Sequence, residues 1–137
     1  MKLFAALLLS ASLVHAQEAQ DPQAVAAARQ AADTWLALVD AGDYTASWQQ
    51  AAEPLRKAVS VAQWEKDARA ARMPVGALQE RTFTSGTYAT TLPGVPQGRY
   101  VVLQYATRFA DRANAVETVT PMQEADGTWR VAGYFIR

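Results

Sequence analysis

The sequence predicts an α+β domain: three N-terminal helices packed on a four-stranded curved antiparallel sheet. Between Pro22 and Ala71, apolar residues recur at spacings of three and four, the period of a helix with one buried face. From Ala77 onward Thr, Val, Tyr and Phe become frequent and the period changes to two, that of a strand. The chain has 137 residues, half of them hydrophobic and 19% charged, the balance of a globular protein with one core.

Residues 1–16 stand apart from that domain. Lys2 is a short positive start, Leu3 to Val14 an apolar run, and Val14-His15-Ala16 a small-residue cleavage site. This is the pattern of a secretory signal peptide cut before Gln17. The run is too short for the ~20 residues a helix needs to span a bilayer. The expected product is a single domain, 17–137, outside the cytoplasm and most simply in a bacterial periplasm, with no membrane span.

Composition excludes several chemistries. Lys2 is one of 13 basic residues, so 12 remain against 13 acidic ones, a net charge of −1. A nucleic-acid partner would require a basic patch. There is no Cys, and the one His, His15, lies in the leader. Cys nucleophiles, His-based triads, zinc sites and His-ligated haem therefore have no residues to build on. No cofactor or metal site is expected. Acid–base work would fall to Asp, Glu, Tyr or the two remaining lysines, Lys57 and Lys66.

Asp21-Pro22 supplies an N-cap with Pro at the first helical position. Val25, Ala28, Ala32, Trp35 and Val39 then form one apolar stripe. Asp40-Ala41-Gly42-Asp43 ends the helix, Gly42 fitting a left-handed cap. Asp43 caps a second helix through Trp48 to Ala52. Pro54 interrupts it or opens another turn over Leu55 to Val59. Ser60-Val61-Ala62-Gln63 reads as a capping box before a third helix carrying Trp64, Ala68 and Ala71, ended by Pro74-Val75-Gly76.

Strands are expected near 78–88, 99–109, 114–124 and 128–136, with a loop over 91–98, a tight turn over 110–113 and a two-residue hairpin at Asp126-Gly127. Pairing Ala125 with Thr128 sets Met122 against Val131 and Thr118 against Phe135. Pairing Ala110 with Ala113 sets Val101 against Met122 and Tyr105 against Thr118. One face then collects Val101, Leu103, Tyr105, Val116, Met122, Trp129, Val131 and Phe135, the side for the helices. The other collects Tyr100, Val102, Gln104, Arg108, Glu117, Val119, Arg130, Tyr134 and Ile136. That second face is more apolar than water requires. Tyr100, Val102, Gln104, Val119, Tyr134 and Ile136 are its candidate interaction residues, for a second copy or another partner.

In this register Glu117 and Arg108 form a surface ion pair, and Tyr105 and Tyr134 fall on opposite faces. Trp35, Trp48 and Trp64 read as core. Asp40 and Asp43 read as caps rather than a cation site. Arg81, beside Glu80, has no special role. Nothing matches a phosphate loop, a nucleophile elbow or a metal signature.

Trp35 to Trp48 (WLALVDAGDYTASW), Pro74 to Leu78 (PVGAL), Gly98 to Tyr105 (GRYVVLQY) and Val116 to Arg137 (VETVTPMQEADGTWRVAGYFIR) together resemble the domain of unknown function 4019 family of small secreted bacterial proteins. The family brings no activity and no catalytic residues. Its helices followed by a curved sheet look like the NTF2-like and cystatin-like folds, which host enzymes and binding proteins alike. Many enzymes of the NTF2-like group rely on a His or a buried Asp in the cone. This chain offers no His after the leader, and no Asp on the apolar sheet face.

The expected function is therefore a non-catalytic periplasmic binding or protein-interaction module. The alternative is a small hydrolase or isomerase with a pocket between sheet and helices. Glu117 is its acid–base candidate if the register slips by one residue. A purely structural envelope protein is a third reading.

Overall fold

A computed structural model describes residues 20–137; the signal-peptide reading of 1–16 lies outside them. Four helices precede four strands: α1 Pro22–Asp40, α2 Tyr44–Gln49, α3 Glu53–Ala58, α4 Val61–Arg72, then β1 Leu78–Ala89, β2 Tyr100–Phe109, β3 Arg112–Gln123 and β4 Trp129–Ile136. The strands form one antiparallel meander in the order β1-β2-β3-β4. The class is α+β, as expected. The helices number four rather than three because Pro54 opens a turn of its own, its fixed φ suiting the first turn of α3.

The expected caps form. Asp21 Oδ1 accepts from Ala24 N at 3.0 Å, Asp43 Oδ1 from Ala46 N at 3.2 Å and Ser60 Oγ from Gln63 N at 3.1 Å. Gly42 takes φ +75°, a conformation that costs glycine little. The stripe of α1 (Ala28, Ala32, Trp35, Val39) packs on Val101, Leu103, Tyr105, Val119 and Val131. Three indoles tie the helices together: Trp35 Nε1 donates to Ser47 O (2.8 Å), Trp64 Nε1 to Ser47 Oγ (3.0 Å) and Trp48 Nε1 to Val59 O (2.9 Å). No described helix is long and apolar enough to cross a membrane.

The sheet register differs from expectation in two places. Between β2 and β3 the turn is Ala110-Asp111, with Phe109 opposite Arg112, and a bulge follows. Beyond it Tyr105 faces Glu117, not Thr118, and Tyr100 faces Met122. Between β3 and β4 the loop has three residues. Gly127, at φ +83°, donates to Glu124 O, and Glu124 N donates to Thr128 O. A second bulge then leaves Ala132 unpaired between Thr120–Gly133 and Pro121–Val131. Pro121 has no amide to give the ladder, which suits a break there. Thr118 does face Phe135 as expected.

The period of a strand is two, so a slip of one residue turns every side chain of β3 over relative to β2. Val119 and Glu117 are buried beneath the helices, whereas Phe135 is 54% exposed. Val116 and Phe135, expected toward the helices, lie on the other side, while Met122 borders a groove beside α3 and Trp64. Tyr134 and Ile136 turn inward with β3 and pack against the core.

Candidate functional site: a buried ion network

The slip brings together charged residues that the sequence reading kept apart. Glu117 on β3 is fully buried. Arg81 on β1 donates to it through Nε (2.7 Å, to Oε1) and Nη2 (3.2 Å, to Oε2). The other side of the same guanidinium grips Asp40, the last residue of α1, through Nη1 (2.8 Å) and Nη2 (2.9 Å). Thr107 Oγ1 donates to Glu117 Oε1 at 2.6 Å, and the Tyr134 hydroxyl donates to Oε2. Arg72, at the end of α4, sets Nη1 3.0 Å from Asp40 Oδ1, off the hydrogen-bonding direction, and its guanidinium lies 4.9 Å from the Phe109 ring centre.

Two cations and two carboxylates thus alternate, Arg72–Asp40–Arg81–Glu117, and their formal charges cancel. Burial alone would lower the Arg81 pKa, but the hydrogen bonds and charges of Asp40 and Glu117 outweigh it, and the net shift is upward. Tyr134 is raised above the ordinary tyrosine value, first by burial and then by the Glu117 charge. Tyr105 is raised by burial and by its hydrogen bond to Asp33 (2.9 Å). The network fastens the C-terminal ends of α1 and α4 to strands β1 and β3.

Several expectations are corrected by this geometry. Glu117 pairs with Arg81, not with Arg108, which forms an exposed pair with Glu80 (3.1 Å). Asp40 holds two arginines instead of acting as a cap. Arg81 is the central cation of the network. Tyr105 and Tyr134 lie on the same side of the sheet, because β3 and β4 carry the slip. Of the six candidate interaction residues, Val119, Tyr134 and Ile136 face the helices. Tyr100 is buried, its hydroxyl donating to Pro96 O at 2.7 Å. Val102 and Gln104 remain on the open face, half-buried.

Chemically, the arrangement is closed. Each oxygen of Glu117 accepts two hydrogen bonds, and the residue is fully buried. Asp40 and Arg72 line a surface groove of about 330 Å³ beside Gly42 and Gly76, and Thr107 borders another of about 450 Å³ between β1, β2 and β3. One local signal marks the break in the β3–β4 ladder, Pro121 inside an inner strand, but none marks the β2–β3 slip that buries Glu117. Nothing local marks Arg81 or Thr107.

The fold and site define a small α+β protein: helices on one face of an antiparallel meander, pinned by an internal ion network. The chain belongs to the family described as protein of unknown function (DUF4019), whose model matches residues 31–134. No curated protein and no solved structure matches it.

Proposed function

We propose that this chain is an exported, non-catalytic binding module. The carrying observation is the closure of Glu117. A general acid or base must come within hydrogen-bond reach of its substrate. The slipped register does turn Glu117 toward the helices, the condition set for the enzyme reading. There its lone pairs are taken by Arg81, Thr107 and Tyr134. That supports a structural role for the network and leaves recognition to the surface.

Pairing of two copies through the open sheet face is favoured by Phe135, a residue 54% exposed. It stands opposite Thr118, on the face that also carries Val102 and Val116. The test is native mass spectrometry of the protein taken gently from its own periplasm. The expected mass begins at Gln17 and carries a second copy or a non-covalent adduct. A bare monomer, or a chain that retains residues 1–16, overturns the reading.

A further inference from the structure

The groove between α1 and the start of β4 has a chemistry of its own. We propose that it binds a neutral carbohydrate, held by its hydroxyls and by one apolar ring face; this rests on the reading of the chain as a binding module. The groove measures about 670 Å³, within the ~300–1,000 Å³ of small-molecule sites. Gln30 and Thr34 of α1, Gln49 and Gln50 at the end of α2, and Trp129 of β4 line it. Among the described residues, none of the three glutamine side chains has a hydrogen-bond partner, and neither has the Trp129 indole N–H.

Each free carboxamide offers two donors and an acceptor. That complements vicinal hydroxyls, which donate and accept side by side. Trp129 adds an aromatic surface, apolar on its faces and polar at its edge, against which the C–H face of a pyranose packs. Its ring is already steadied by the Arg99 guanidinium, 5.8 Å from the ring centre. The one charged group in the lining, Arg130, is neutralised by Glu124 (2.9 Å) and Asp126 (3.1 Å). A phosphate or carboxylate ligand would find no free cation there, so the lining selects a neutral polyhydroxylated one.

The test is an NMR titration of the exported protein, ¹⁵N-labelled, with maltotriose, cellotriose and tri-N-acetylchitotriose as probes. At least one probe is expected to shift the side-chain amides of Gln30, Gln49 and Gln50 and the Trp129 indole saturably, with a Kd below about 1 mM. The exposed double variant Gln49→Ala/Gln50→Ala should keep the fold and weaken binding by roughly tenfold, the effect of removing two polar anchors. Absence of a saturable shift with all three probes overturns the proposal. So do shifts that map elsewhere, or that survive the double variant. A non-sugar adduct in the native mass spectrum, with no response to the probes, would sink this proposal while leaving the binding-module reading intact.

Discussion

Replacing Arg81 by Met keeps most of its length and removes its charge. Glu117, fully buried, would then keep only the hydroxyls of Thr107 and Tyr134. Asp40 would keep Arg72, 3.0 Å away but poorly aligned. Breaking a buried ion pair by removing one partner costs about 3–5 kcal/mol, because the charge left behind stays desolvated. Here two carboxylates lose four hydrogen bonds at once, so the upper half of that range applies. A domain's whole stability is ~5–15 kcal/mol, so the loss takes a large share of it. For a chain of this size each kcal/mol moves the melting point by roughly 3–5 °C, so a drop of about 12–25 °C is expected. The assay is urea unfolding followed by tryptophan fluorescence, run as a cycle with Glu117→Met. The double variant should be less destabilised than the sum of the single variants, with a coupling of ~1–3 kcal/mol. Recovery stays partial because Asp40, Thr107 and Tyr134 still lose a partner. A cost for Arg81→Met below about 1 kcal/mol, the range of a surface pair, would refute the reasoning. So would simple additivity.

Alkaline pH should act through the two buried tyrosines. Both phenols are held above the ordinary value in the folded chain, and unfolded tyrosine ionises near pH ~10. A group raised on folding stabilises fully below its unfolded value and loses that contribution as pH rises past it. The urea midpoint should therefore fall above pH ~10, with a shallower slope in Tyr105→Phe/Tyr134→Phe; an unchanged slope would assign the loss to other groups. The corrected register makes an opposite pair of forecasts for β3 and β4. Val119→Asp places an unpaired charge under α1 and should abolish folding, a loss beyond about 4 kcal/mol. Phe135→Lys, on the open face, should stay within ~0.5 kcal/mol of the parent in a circular-dichroism melt run dilute enough that both chains are monomeric. The reverse order would mean that β3 sits in the register the turns suggested.

The elements were legible because each is announced locally. Asp21-Pro22, Asp43 and Ser60 mark helix starts within a few residues of the stripes they precede, and the change of period at Ala77 marks the sheet. The register was not legible, for a different reason in each hairpin. In the β2–β3 turn, Ala110 N donates to Ala77 O and Asp111 N to Val75 O. The loop before β1 therefore fixes which residues turn, and no Gly or Asn in the turn itself reports it. In the β3–β4 loop, Asp-Gly has the pattern of a two-residue turn, yet the chain uses Gly127 as the left-handed third residue of a longer loop. Pro121 was the legible clue, since an inner strand cannot use a proline without a break in its ladder.

Glu117 shows why a register error matters more for a site than for a fold. Either register gives an α+β meander with one apolar face, because β3 carries small or apolar residues at both parities: Ala115, Val119 and Pro121 at one, Val116 and Met122 at the other. Hydrophobic pattern alone does not separate the two. The difference lies in one carboxylate. Turned outward, Glu117 is a screened surface charge beside Arg108. Turned inward, it must be neutralised, and the chain supplies Arg81 from β1, Thr107 from β2, Tyr134 from β4 and, through Arg81, Asp40 from α1. Those partners lie far apart in sequence, so no local motif assembles them. The inward register is stable only if all of them arrive together. The network thus specifies the alignment of β3 that its apolar residues leave open, a hypothesis that the Arg81→Met/Glu117→Met pair tests directly. Losing both charges should leave a folded sheet whose β3 is free to slip, seen as two sets of β3 amide resonances. One sharp set would mean that packing by Val119 and Pro121 holds the register alone.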